Sequence, residues 1–226
     1  LGNLTLLNTT IAKNVGTRFG GGIFQWSGSL TISNSTIAGN SVIGNNARSF
    51  GGGIYVSEGP VSIQSTIVAD NSVEEITYLG AEFGGPDVWG TVSSEGFNIV
   101  ENPADNSGWI ANGLAADHIG IDPRLGPLAN YGGPTETMAL RGGSPAIDRG
   151  NNTAFSAWAL STDQRGYPRV ADWPSFPDTF DACDIGAYEF RAPTLLAAVS
   201  LFSDSGPGSM RQVIMDALPG DAILCP

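Results

Sequence analysis

Lysine occurs once in this chain of 226 residues, as Lys13, and histidine once, as His118. Charged side chains of all kinds make up only 14%, well below the roughly 25% of an ordinary soluble domain. What charge there is leans acidic, 22 against 10, for a formal −12. Such a surface is repelled by phosphate backbones and anionic lipid, so nucleic-acid binding is excluded as a first expectation. Cysteine is almost missing. Cys183 and Cys225 are too few for a disulfide framework, and pairing or separate burial both stay open. No apolar run reaches the ~18 residues of a membrane-spanning helix. A signal-peptide pattern is lacking too. Leu1-Gly2-Asn3 already belongs to a strand-like pattern, so the expectation is a cut within a larger polypeptide, with any signal upstream.

In place of charge the chain has 31 glycines, without a collagen period, and many Asn, Ser and Thr residues. With 41% apolar residues it can build a core. Small polar residues, glycine and little charge together suggest an all-β secreted or surface protein.

Internal repetition is the strongest signal. The segment Leu4-Thr5-Leu6 to Asn14 returns from Leu30 to Asn40 and from Val61 to Asn71, with starts 26 and then 31 residues apart. Alternation in Leu4, Leu6 and in Leu30, Ile32 turns one face of each short strand inward. Ile11, Ile37 or Val68 follows after a polar corner. No helical pattern separates the strands, which excludes βαβ units. The predicted fold is therefore all-β: a right-handed single-stranded parallel β-helix, or solenoid, with coils over residues 1–100. Asn14, Asn40 and Asn71 occupy one column, where stacked amides would bond from coil to coil. Asn8, Asn34 and Ser65 form a second polar column. The triplets Gly20-Gly21-Gly22 and Gly51-Gly52-Gly53 suit a bend with positive φ or close backbone approach.

The Ser-Thr-Ile-Ala-Gly-Asn coil at residues 35–40 with Gly51-Gly52-Gly53-Ile54-Tyr55 resembles bacterial parallel β-helix surface proteins of the polymorphic outer-membrane or adhesin type. A further coil is expected around residues 85–100, after which the repeat fades into a loop-rich stretch to Asp122. Pro and Gly then punctuate every few residues, so residues 101–190 read as an irregular cap with short strands. Four motifs stand in it: Asn130 to Thr135, Gly143 to Asp148, Asp163 to Arg169, and Asp184 to Glu189. Together they resemble the choice-of-anchor Q domain of bacterial secreted β-helix proteins, over roughly residues 84–190. That resemblance implies an extracellular or cell-surface location with an anchor outside this chain, and implies no reaction.

Residues 191–226 read as a linker and a capping segment. Ser203 to Gln212 resembles the N-terminal cap that opens such a β-helix. Ser209 and Gln212 make a capping-box pair. Met210, Val213, Ile214, Ala217 and Leu218 share one face of a short amphipathic helix, stopped by Pro219-Gly220. The order suggests tandem modules, or a subunit whose tail caps its neighbour head to tail. A helix folded back on its own chain is the bland alternative.

Residues that could carry chemistry are sparse. Asp70, Asp87, Asp117, Asp122 and Asp148 could pair as glycosidase carboxylates, but most neighbour Gly, Pro or Asn and read as turn formers. His118 lacks a second His and a placed nucleophile. The Gly-Gly-x-Gly-x-Asp calcium repeat is absent, so a Ca²⁺ partner rests on charge alone and no other cofactor is expected. Asn3, Asn8, Asn34 and Asn151 stand in Asn-x-Ser/Thr sequons, which this composition produces by itself. Trp26, Trp109, Trp158 and Trp173 could stack on sugars or pack in the core. The expected function is a non-catalytic extracellular structural or adhesive surface protein that self-associates. The alternative is a β-helix polysaccharide-active enzyme or glycan-binding module.

Overall fold

The computed structural model describes residues 2–44, 48–74, 82–103, 107–111, 117–152, 160–172, 181–191, 195–198 and 222–224. Among them all regular structure is strand. A first repeat carries β1 (Asn3–Leu7), β2 (Thr10–Ala12), β3 (Val15–Gly16) and β4 (Ile23–Gln25). The second has β5 (Ser29–Ser33), β6 (Thr36–Ala38), β7 (Ser41–Ile43), β8 (Arg48–Phe50) and β9 (Ile54–Val56). The third has β10 (Val61–Gln64), β11 (Ile67–Ala69), β12 (Ser72–Glu74), β13 (Glu82–Gly84) and the long β14 (Val88–Ser94). Then come β15 (Ile99–Val100), β16 (Ser107–Ala111), β17 (His118–Ile119), β18 (Leu125–Ala129) and β19 (Thr137–Leu140). Finally β20 (Leu195–Ala198) and β21 (Ala222–Leu224) stand near the end.

Equivalent strands of successive repeats pair in parallel, in rows β1-β5-β10-β14, β2-β6-β11-β15-β17, β3-β7-β12 and β4-β9-β14. Register puts like residues over like. Leu6 sits on Ile32 and Ile32 on Ile63; Ile11 sits on Ile37 and Ile37 on Val68. The pair Leu30-Val61 and the column Ile23-Ile54-Val88 complete one apolar core, while Leu4, in register on Leu30, is exposed. Strict alternation produces this core, because a one-residue slip would turn every inward side chain to solvent.

Polar corners lie between the rows. Asn8, Asn34, Ser65 and Phe97 all take the left-handed conformation, with φ of 48°, 48°, 44° and 60°. Lys13, Gly39 and Asp70 form a second such column at 57°, 66° and 54°. Asn tolerates this region because its short side chain bonds locally. At the glycine triplets the reason is backbone crowding. A Cβ on Gly21 would lie 2.3 Å from the Gly52 carbonyl oxygen, and one on Gly52 2.3 Å from that of Ser72.

Stacking runs past residue 100, where a loop is the sequence expectation. β16 pairs with β14 and β17 with β15 across shortened intervals, Gly90 to Ser107 and Ile99 to His118. The irregular segment from residue 120 to 191 also differs from an end cap in its described part, because it lies along the flank of the stack. Leu125, Met138, Leu140, Ile147, Ile185 and Tyr188 pack on Ala38, Ile67, Ala69 and Ile99, the outer face of β6, β11 and β15. A sheet with helices or loops on one side and its own core on the other is apolar on both faces, which is why Thr36-Ile37-Ala38 and Ile67-Val68-Ala69 are buried throughout. The segment predicted as a capping helix, Ser209 to Leu218, lies outside the described residues.

Candidate functional surfaces

Asn14, Asn40 and Asn71 form a hydrogen-bonded ladder. The backbone N–H and Nδ2 of Asn14 both donate to Asn40 Oδ1, each at 3.0 Å. Those of Asn40 donate to Asn71 Oδ1, each at 2.9 Å. Each inner amide also reaches back one layer, Asn40 Nδ2 to the Ile11 carbonyl and Asn71 Nδ2 to that of Ile37. Gly22 and Gly53 leave room for these amides, since a Cβ there would come within 3.0 Å of Asn40 Nδ2 or 2.8 Å of Asn71 Nδ2.

The ladder ends on a carboxylate. Asn71 donates through Nδ2 at 2.8 Å and through its backbone to Asp87 Oδ1, and the Asn102 N–H donates to Asp87 Oδ2. An ionised carboxylate only accepts, so it closes a column in which every rung passes donors the same way. Burial nevertheless pushes the Asp87 carboxyl up to about 7, against the pull of the three N–H donors. Sequence reading treats Asp87 as a turn former; the residue is fully buried and belongs to the ladder.

A second ladder starts one residue beyond the left-handed corner. Thr9 N–H donates to Ser35 Oγ, Ser35 N–H to Thr66 Oγ1, and Thr66 N–H to Asn98 Oδ1. Asn98 donates through its backbone and Nδ2 to Asp117 Oδ1. This column also ends on an aspartate. Its hydroxyl column was readable at Thr9, Ser35 and Thr66, but no repeat marks Asp117.

Asn8 and Asn34 do not bond to each other through their side chains. Asn8 Nδ2 donates to the Thr162 carbonyl, and Asn8 Oδ1 accepts from Arg169. Ser65 exchanges hydrogen bonds with the Asn151 backbone. This column is therefore the seat of the flanking segment.

The motif residues of that segment make one buried polar network. Arg165 donates to Asp163 and to the Glu189 carbonyl, and its guanidinium lies 3.5 Å from the Tyr188 ring centroid. Arg169 donates to the carbonyls of Asn34, Asp184 and Gly186 and faces Glu189 at 3.7 Å. Glu189 accepts from the Val170, Ala171 and Asp184 N–H groups. Asp184 accepts from those of Asp148 and Phe190. Burial, then the Asp184 carboxyl's nearness to Glu189, holds Asp184 well above the usual range; burial also raises Glu189, opposed by Arg169. These carboxylates face backbone, not solvent. Cys183 is buried, its thiol pushed up by that burial, and Cys225 lies outside the described residues.

Of the remaining candidates, Asp70 and Asp122 lie close enough to interact, with Arg141 beside them. Asp70 is raised by partial burial and by Asp122, with Arg141 opposing. Asp122 accepts from the Arg124 N–H, and Asp148 occupies a left-handed turn at φ 55°. His118 is lowered by burial and by Arg149. Among the described residues no group of three or more His, Cys, Asp or Glu side chains is placed to hold a metal ion, and no helix is long and apolar enough to cross a membrane.

One outer face is aromatic. Phe24, Tyr55 and Trp89 stand in register on β4, β9 and β14. Phe19 and Phe50 stand beside them, with Phe19 on Tyr55 at 4.6 Å and Phe50 on Trp89 at 4.0 Å between centroids. Trp26 is tilted against Phe24 at the outer end, and both are exposed. The signal was present in the sequence, because Phe24 and Tyr55 follow their glycine triplets at the same offset. Trp158 and Trp173, and the Trp109 side chain, lie outside the described residues. Compared with protein-family models, curated proteins and solved structures, the chain matches none.

Proposed function

We propose that the chain is a right-handed parallel β-helix from a bacterial extracellular structural or adhesive protein, and that its role is non-catalytic. The observation that carries this reading is where the polar chemistry is spent. Asp87 and Asp117 end ladders, while Asp163, Asp184 and Glu189 accept from buried backbone N–H groups. Groups held this way rigidify a scaffold; a catalytic acid or base must reach the substrate atom that it protonates or deprotonates. The choice-of-anchor Q resemblance and the low-charge composition rich in Asn, Thr and Gly support the extracellular location.

The aromatic face favours a second reading, glycan binding, at one place only. Sugars stack on open ring faces, but Phe19, Phe50, Tyr55 and Trp89 stack on one another. Phe24 and Trp26 at the outer end keep exposed surface. Incubation of the folded chain with polygalacturonate, dextran and chitin separates the readings. No new reducing ends are expected, and sustained release from any of them would overturn the non-catalytic reading.

A further inference from the structure

The chain holds a single Asp-Pro pair, Asp122-Pro123, and it stands where the stack hands over to the flanking segment. β17 is the last strand of the row β2-β6-β11-β15-β17, and Leu125, which opens β18, already packs with the flank. An Asp-Pro bond differs from other peptide bonds in two chemical respects. The Pro nitrogen belongs to a tertiary amide; it is more basic than an ordinary amide nitrogen and leaves more readily once protonated. The Asp side chain reaches its own carbonyl carbon through a small, unstrained ring.

The local geometry favours that approach. Asp122 Oδ1 accepts from the Arg124 N–H at 2.6 Å. A side chain that bonds to the N–H two residues on is folded across the peptide bond between them, here Asp122–Pro123. Arg124 is held in this pose by a left-handed backbone at φ 55°, by the Arg141 N–H, which donates to its carbonyl at 3.1 Å, and by its own Nη1, which donates to the Gly143 carbonyl at 3.2 Å. Beyond the bond, Pro123 is buried, and its carbonyl accepts from Ser144 Oγ at 2.6 Å. Residues 119–122 before it are exposed, so water reaches the Asp122 side. Asp70 lies close enough to feel the Asp122 charge. Burial first, then Asp122, raises its carboxyl, with Arg141 opposing, and its backbone N–H donates to Glu101.

We infer that Asp122–Pro123 is a self-processing site, at which the Asp122 carboxylate cuts the chain between stack and flank. The second carboxylate oxygen, Oδ2, forms a bond to the Asp122 carbonyl carbon. The carbon–nitrogen bond breaks, its electron pair stays on the Pro123 nitrogen, and the nitrogen leaves as a secondary amine with a proton from Asp70. Water opens the cyclic anhydride left on Asp122 to two carboxyl groups and returns a proton to Asp70. One water is consumed, and nothing is oxidised or reduced. Rate comes from delivery, because a group already held against its target reacts as though at very high concentration. Pro123 is anchored in the flank while residues 119–122 are exposed, so the ends part before the amine recaptures the anhydride.

The two parts stay together after the cut. The flank keeps its apolar contact with the outer face of β6, β11 and β15, and its hydrogen bonds from Arg169 to Asn8, from Gly186 to Ser65 and from Ala187 to Thr36. A covalent junction thereby becomes one held by packing alone. The reaction is one turnover on the chain's own backbone, so it stands or falls independently of the non-catalytic reading.

The full chain is tested in mildly acidic buffer, folded and in concentrated urea, with intact masses followed over time. The folded chain should give two fragments, the second beginning at Pro123, whose masses add up to the parent plus one water. Cleavage should be at least about tenfold faster folded than in urea at the same pH. In native size-exclusion chromatography the fragments should elute together and separate only in urea. Asp122→Asn keeps an oxygen for the Arg124 N–H but removes the carboxylate, and should abolish the cut. Pro123→Ala restores an ordinary amide and should slow it by at least about tenfold, with circular dichroism showing that both variants stay folded. Asp70→Asn should slow the cut several-fold and flatten its pH profile; an unchanged rate overturns the proton-source role. Equal rates folded and unfolded would reduce the cut to ordinary Asp-Pro lability and overturn the inference. So would an uncut parent, or an Asp122→Asn chain cut at the parent's rate. Fragments that part in native buffer would overturn the retained flank.

Discussion

Asn40 in the stacked repeats and Arg169 in the flanking segment both satisfy buried polar groups, by opposite means. Asn40 bonds to the same kind of residue one layer on either side, Asn14 and Asn71. Arg169 joins parts of the chain that never repeat: Asn8, Asn34, Asp184, Gly186 and Glu189. In the repeats the cost of a buried amide is shared along a column, and losing one rung leaves neutral neighbours. In the flanking network two cations, Arg165 and Arg169, offset the buried carboxylates of Asp163 and Glu189, and loss of either leaves charge without compensation.

The largest expected effect follows from that asymmetry. Arg169→Met keeps the volume but strands Glu189, and should cost about 3–5 kcal/mol in urea unfolding. Hydrogen exchange locates the damage. The Gly186 and Ala187 amides, which hold the flank to Ser65 and Thr36, should lose protection while Ile32 and Ile63 keep theirs. Equal loss in both places would mean that flank and stack unfold as one unit.

Within the ladder, Asn40→Ala should cost roughly 1–3 kcal/mol, because it leaves buried partners unpaired. Asn14→Ala, at the exposed rung, should cost under about 1 kcal/mol. Paired thermal melts check the difference, and equal shifts would show that the rungs do not differ in burial as described.

The ladder's aspartate end adds a pH dependence. Its carboxyl is raised from 3.8 to about 7 in the folded chain, so between these values the folded state keeps a proton that the unfolded state has lost. Stability from this group is whole below pH about 4 and is lost as pH rises through about 7, by at most ~1.4 kcal/mol per pH unit. Asp184 and Glu189 are raised too and act in the same direction. The difference between the parent and Asp87→Asn isolates the ladder's share, and identical slopes would remove Asp87 as a titrating end.

The two regions also differ in how readable they were. Leu6, Ile32 and Ile63, and Asn14, Asn40 and Asn71, align by counting residues, because each contact joins equivalent positions. The end of the ladder does not. Asp87 lies 16 residues beyond Asn71 and reaches it only because β14 continues the row of β9 at Val88. The strands β16 and β17 were hidden by the shortened intervals of their pairing. In the flank, the motifs from Asp163 to Arg169 and Asp184 to Glu189 stood out, but nothing local says that Arg169 meets Asn8.

The amino-acid sequence alone determined the all-strand character, the inward columns and the Asn column, since alternation and repetition act between neighbours a fixed interval apart. Only the tertiary structure decided that the flanking segment covers a side and not an end, and that both ladders close on aspartates. Those outcomes depend on one-time contacts between distant segments, where burial and donor geometry, rather than period, choose the partner.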